Sequence, residues 1–71
     1  MDQKLTKKQK ILYDEIKKFI KENGYAPTIR EINVITNIRS TSTTFSKLIQ
    51  LKKKGYITYI ENKSRTIKIL K

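Results

Sequence analysis

Residues 39–54 read Arg39-Ser40-Thr41-Ser42-Thr43-Thr44-Phe45-Ser46-Lys47-Leu48-Ile49-Gln50-Leu51-Lys52-Lys53-Lys54, and Gly55 follows. Thr44, Leu48 and Leu51 recur at helical spacing and share one face, which predicts a helix with that face inward. Ser40 or Thr41 caps its start, and it ends before Gly55. Ser42, Thr43, Ser46 and Lys47 then point elsewhere. Short polar side chains are mediocre helix formers, because their hydroxyls compete for backbone groups. A run of them inside a helix therefore calls for a reason other than propensity.

Outward from this helix the punctuation is clean. Upstream, Asn37 is the best non-glycine residue for a left-handed turn position, and Ile38 is expected to plug that turn into the core. Before it, Thr28 with Glu31 forms a capping box that opens a helix over residues 29–36, with Pro27 pushing Ala26 out of helical geometry. In that helix Ile29, Ile32, Ile35 and Thr36 fall on one side, and Val34 falls opposite and should be exposed. A first helix over residues 7–23 opens on a capping box of Thr6 and Gln9. It carries the stripe Ile11, Leu12, Ile16, Phe19 and Ile20, and stops at Gly24. After Gly55 the period changes to two: Ile57 and Tyr59 share a face in residues 56–60, and Ile67 and Ile69 share one in residues 66–70. With residues 61–65 as the turn, this is a β-hairpin buried on one side. The expected fold is α+β: a single domain over residues 1–71, three helices and then a two-stranded wing.

Charge narrows the function classes. The 71 residues hold 17 Lys and Arg against 6 Asp and Glu, a formal net charge of +11. Fourteen Lys and twelve Ile against one Ala point to an AT-rich coding sequence, but that bias should raise acidic residues as well. Strong basic excess of this kind serves a polyanion. No acidic residue occurs from Ile32 through Ile60, while Arg39, Lys47, Lys52, Lys53 and Lys54 lie there. The absence of Cys and His removes disulfides, thiolate metal sites and the commonest general base, so no cofactor, no metal and no enzymatic activity are expected. No apolar run is long enough for a membrane span, and the N-terminus lacks a signal-peptide core. A soluble, cytoplasmic protein is the default expectation, with no small-molecule substrate.

Two short helices joined by a tight turn, the second rich in small polar residues, describe a helix-turn-helix. The major groove of double-stranded DNA admits one α-helix, and base edges are read by short hydrogen-bonding or methyl-bearing side chains. Ser40, Ser42, Thr43 and Ser46 are the hydroxyl candidates for that role, and Thr43 adds a methyl. Arg39, Lys47, Lys52, Lys53 and Lys54 are candidate phosphate contacts, together with Thr28, Thr41 and, from the wing tip, Lys63 and Arg65. The competing reading of the Ser/Thr run is a solvated helix start with redundant capping. The competing reading of Lys52–Lys54 is compensation of the helix dipole, which does not conflict with phosphate contact. The turn, the missing acids and the wing favour the DNA reading.

The segments LTKKQ, ENGYAPTIREI, IRSTST, LIQLKKKGYI and SRTIKIL resemble the N-terminal DNA-binding domain of LexA-type SOS repressors, a winged helix-turn-helix, over about Leu5 to Leu70. GYAPTIREI and KKGYI are the specific pieces. The resemblance implies a transcriptional regulator whose third helix enters the major groove, with Ser40, Ser42, Thr43, Phe45 and Ser46 at positions directed to DNA. Backbone contacts are implied from the Lys52–Lys54 region and the wing. The chain departs from the pattern at Asn33, where relatives carry Ala or Gly, and at Thr36, where they carry a large aliphatic. It departs again at Asn37, usually Gly, and at Phe45 and Ile49, where relatives tend to be polar. Base recognition is therefore expected to differ.

SOS repressors of this type also carry a C-terminal domain that dimerises and cleaves itself with a Ser–Lys pair. Read as complete, a chain ending at Lys71 carries neither property; read as an excised domain, it implies nothing about them. A lone domain covers one half-site, and a homodimer on palindromic DNA is the expected way to cover two. The alternative function is a protein-interaction module on a winged-helix frame, for example a phage or plasmid protein that binds a repressor, using Val34, Phe45 and Ile49 as an apolar patch.

Overall fold

The structure, a computed structural model, describes residues 4–71. Helix α1 spans Lys7–Asn23, α2 Ile29–Thr36 and α3 Thr41–Lys53, followed by strands β1 (Ile57–Thr58) and β2 (Lys68–Ile69). The strands pair antiparallel, with Ile57 opposite Ile69 and Thr58 opposite Lys68. This is a winged helix-turn-helix, three helices and then a two-stranded wing, as the sequence predicts.

The helix boundaries follow from caps. The Thr6 hydroxyl accepts from Gln9 N (3.1 Å) and the Gln9 side chain accepts from Thr6 N (3.0 Å). Thr28 and Glu31 repeat the arrangement at the start of α2 (3.1 and 2.8 Å). Each box satisfies two N–H groups that a helix start leaves without partners. Gly24 closes α1 at φ +77° and Asn37 closes α2 at φ +57°. At Asn37 the bonds Ile38 N to Asn33 O (3.1 Å) and Asn37 N to Val34 O (3.3 Å) form a Schellman turn. Ile38 is only half-buried, so backbone bonds rather than a core plug close the turn.

One core joins all elements. Leu12, Ile16, Ile32, Leu48, Leu51 and Ile57 are sealed from solvent, with Tyr13, Ala26 and Ile67 beside them. Four side chains depart from the expected stripes. Ile11 is 52% exposed, and α1 buries Gln9 and Tyr13 instead. Gln9 is admitted because both polar atoms of its amide find partners: beyond the cap, Nε2 donates to Gln50 Oε1 on α3, and Oε1 accepts from Lys54 Nζ (2.8 Å). Ile35 lies at the edge of the α2 stripe and stays exposed.

Between α2 and α3 the buried Thr44 hydroxyl donates to Asn33 Oδ1, and Asn33 Nδ2 donates to Thr41 Oγ1 (3.3 Å). The Asn33 amide thus stitches the two helices of the motif together, a task that the small residue expected there from the resemblance could not perform.

The paired strands are shorter than the period-two segments. Asn62 (φ +64°) and Arg65 (φ +59°) adopt left-handed conformations that break extended geometry. Pairing beyond β1 passes to a side chain: Thr66 Oγ1 accepts from Ile60 N (2.9 Å) and can donate to Ile60 O or Lys63 O (both 3.2 Å).

A domain this small has little stability to lose. Leu48→Ala and Ile32→Ala are each expected to cost about 2–5 kcal/mol through lost burial and a residual cavity. Val34→Ala, at a position 75% exposed, is expected to stay within roughly 0.5 kcal/mol. Urea denaturation followed by circular dichroism compares them, and equal losses at Leu48 and Val34 would contradict the assigned core.

Candidate nucleic-acid interface

With Thr44, Leu48 and Leu51 sealed inside, the rest of α3 is placed by geometry at about 100° per residue. Ser42, Ser46 and Lys53 fall opposite the core. Thr43 and Gln50 lie on one flank, and Phe45 and Ile49 on the other. Ser40, Thr41, Ser42, Thr43, Phe45 and Ser46 are all exposed, and Lys47 is half-buried. Ser40 also has a structural task as N-cap, its hydroxyl accepting from Thr43 N (3.3 Å). Thr28 is half-buried and carries the cap of α2.

The wing lies beside the Phe45 flank of α3. Between them runs a groove of about 330 Å³, lined by Pro27, Thr28 and Ile29 at the start of α2, by Phe45, Leu48 and Ile49 on α3, and by residues 59–67 of the wing. Phe45 is 46%, Ile49 45% and Ile60 59% exposed. Partial burial, and then the Glu61 carboxylate, raise the Tyr59 phenol, which lines the groove, above its ordinary pKa. Val34 does not share this surface. It lines a separate shallow depression with Phe19, Arg30 and Ile35, so the three residues of the expected apolar patch are divided between two places.

The nominated cations divide in the same way. Lys53, Lys63 and Arg39 are exposed, with no ion-pair partner among the described residues. Lys52 Nζ donates to Tyr59 O (3.1 Å) and sits 4.4 Å from the Tyr59 ring centre, joining α3 to the wing. Lys54 Nζ donates to Lys4 O (2.9 Å) and Gln9 Oε1, fastening the end of α3 to the start of α1.

Arg65 is the largest difference from expectation. Its guanidinium turns back along the surface toward the start of α2, with Nη1 at 2.9 Å from Glu31 Oε1, Nη2 at 3.2 Å from Glu31 Oε2 and Nη1 at 3.1 Å from Ala26 O. Its Cζ lies 4.7 Å from the Tyr25 ring centre. A forked pair of this kind fixes direction as well as distance. It latches the wing to the start of α2. The Thr28 backbone N–H, then the Arg65 guanidinium, hold the Glu31 carboxyl below its ordinary pKa. Sequence reading missed this latch, because 34 residues separate the partners and each already had a local role.

Among the described residues no group of His, Cys, Asp or Glu could hold a metal, and no helix is long and apolar enough to cross a membrane.

Comparison with known proteins agrees with this architecture. The family model described as the LexA DNA binding domain matches residues 2–66. The LexA repressor of Caldicellulosiruptor saccharolyticus is 49% identical over 70 residues, which are 99% of this chain and 35% of that protein. The LexA repressor of Staphylococcus epidermidis is 42% identical over 66 residues (93% and 32%), and that of Bacillus mycoides 43% over 68 (96% and 33%). The chain thus spans about a third of the length of the curated relatives it matches.

The latch has a defined pH dependence. Because Glu31 is held below its unfolded pKa, its contribution is present above the ordinary carboxylate pKa and is lost as pH falls through the lowered value. Arg65→Ala is expected to speed amide hydrogen exchange in residues 60–66 to the same extent at about pH 7 and pH 5, both above the ordinary Glu pKa. The excess should vanish in stronger acid, where the native wing loosens too. An unchanged wing in Arg65→Ala at neutral pH would show that the latch holds nothing.

Proposed function

The chain belongs to the LexA DNA-binding domain family, and on that premise we propose that it is a sequence-specific double-stranded DNA-binding transcriptional repressor that inserts α3 into the major groove. The observation that carries this reading is the exposed face of α3: hydroxyl side chains project from a helix that no acidic residue accompanies from Ile32 through Ile60. Ser40, Ser42, Thr43, Phe45 and Ser46 are the base-reading residues of this proposal. Arg39, Lys47, Lys53 and Lys63 hold phosphates directly, with Thr28 and Thr41 at the helix starts. Lys52 and Lys54 add to the positive field while holding the wing and the end of α3. Arg65 acts mainly by orienting the wing.

The same proposal places the protein in the cytoplasm at the nucleoid, in an SOS-type response, without catalysis by this domain, and covers palindromic sites with two copies. The reading as a protein-interaction module loses support from the division of Val34 from Phe45 and Ile49.

Selection of bound duplexes from a random pool tests specificity and half-site arrangement together; equal affinity for selected and random duplex at moderate salt would reject sequence reading. With roughly six to eight phosphates neutralised, log K should fall with log salt at a slope of about −5 to −7. Lys53→Ala and Lys63→Ala should each reduce that slope by about 0.9 while leaving base preference intact. Arg65→Ala should weaken binding with the slope unchanged. Ser42→Ala with Ser46→Ala should change the preferred bases and not the slope.

A further inference from the structure

Phe45 and Ile49 stand one helical turn apart on α3, each nearly half exposed, on the flank between Ser42 and Ser46 and the wing. Side chains of this size are removed from water when a core has room for them, and bulky apolar groups gathered in a groove mark a binding surface. The surroundings are cationic, with Lys52 and Lys53 on the same helix, Lys63 on the facing wing, and only Glu61 as a carboxylate lining the groove. An occupant of this flank must therefore present apolar groups within a negative framework. DNA satisfies both conditions, because the thymine C5-methyl is the apolar group that base pairs display in the major groove, between two rows of phosphates.

We propose that Phe45 and Ile49 form a thymine-methyl-reading surface, making A·T pairs with thymine toward the wing a specificity determinant of the site. This rests on the proposed entry of α3 into the major groove and adds the chemical group that its flank recognises. A serine hydroxyl can donate or accept and so tolerates several base edges. An apolar flank has no such choice. Cytosine in place of thymine removes the C5-methyl and turns the neighbouring O4 acceptor into an N4 amino donor, for which an apolar flank offers no partner. Thr43, on the opposite flank, offers one methyl for the same chemistry and is too short to substitute for the Phe45–Ile49 pair.

The test is a methyl scan. In a duplex selected from a random pool, each thymine is replaced singly by deoxyuracil, which deletes the C5-methyl and nothing else. The native chain is expected to lose roughly fourfold in affinity per buried methyl at one or more thymines on the wing side of the half-site. Phe45→Ala and Ile49→Ala, each at a half-exposed position and checked for folding by circular dichroism, should bind the thymine and deoxyuracil duplexes alike, with the salt slope kept. Indifference of the native chain to every deoxyuracil, with preference for selected over random duplex retained, overturns the methyl surface and leaves sequence reading standing. Methyl sensitivity that survives in both variants also overturns it. Absence of any preference over random duplex overturns this inference and the proposed function together.

Discussion

Burial of Thr44, Leu48 and Leu51 sets the rotation of α3 about its own axis, and the chemistry of the exposed face depends on that rotation. At about 100° per residue a slip of one position would turn Phe45 and Ile49 toward the core and swing the hydroxyl row toward a flank. Four devices hold the phase. The Schellman turn at Asn37 and the Ser40 cap determine where the helix starts. Gly55, at φ +81°, lets the chain leave directly for β1. The Asn33 amide fastens Thr41 and Thr44 to α2. Any other rotation of α3 would give up the Thr44–Asn33 bond, a net loss of about 0.5–1.5 kcal/mol.

Element boundaries were visible in the sequence because caps are local: Thr6 with Gln9, and Thr28 with Glu31, meet partners three residues away. The inward face of α3 was visible for the same reason, since apolar spacing is a property of the helix itself. Burial in α1 was less visible. Hydropathy favours Ile11 over Gln9, yet Gln9 is buried, because Gln50 and Lys54 bring it partners from more than forty residues away. The strands were overextended because alternation continues through residues 59–60 and 66–67, whereas the left-handed residues 62 and 65 let a Thr66 hydroxyl replace ladder bonds.

At the candidate site, exposure was read well and availability was not. A sequence shows a lysine as a charge and conceals what its ammonium touches. Lys52, Lys54 and Arg65 are engaged with the wing, with α1 and with α2, through contacts that no periodicity encodes. Their engagement is not lost to electrostatics. Carbonyl and amide acceptors leave the charge on Lys52 and Lys54 uncompensated, so both still add to the potential around α3. Only Arg65 among the three meets a carboxylate. The basic excess therefore divides into cations that hold the frame and cations free to meet phosphate.

That division bears on how affinity and selectivity would be shared on the proposed reading. Phosphate contact is indifferent to sequence and supplies binding strength that salt removes. Serine hydroxyls adapt to donor and acceptor edges alike, so on that reading the outer row of α3 would read bases with more tolerance than an apolar group allows. The unadaptable groups are Phe45 and Ile49, which the wing, held by the Arg65–Glu31 pair, flanks on its side of the helix. On that reading, selectivity would depend on a contact between α2 and the wing that touches no base. The latch fixes how closely the wing approaches the apolar flank, and with it how tightly a base placed against that flank can be packed.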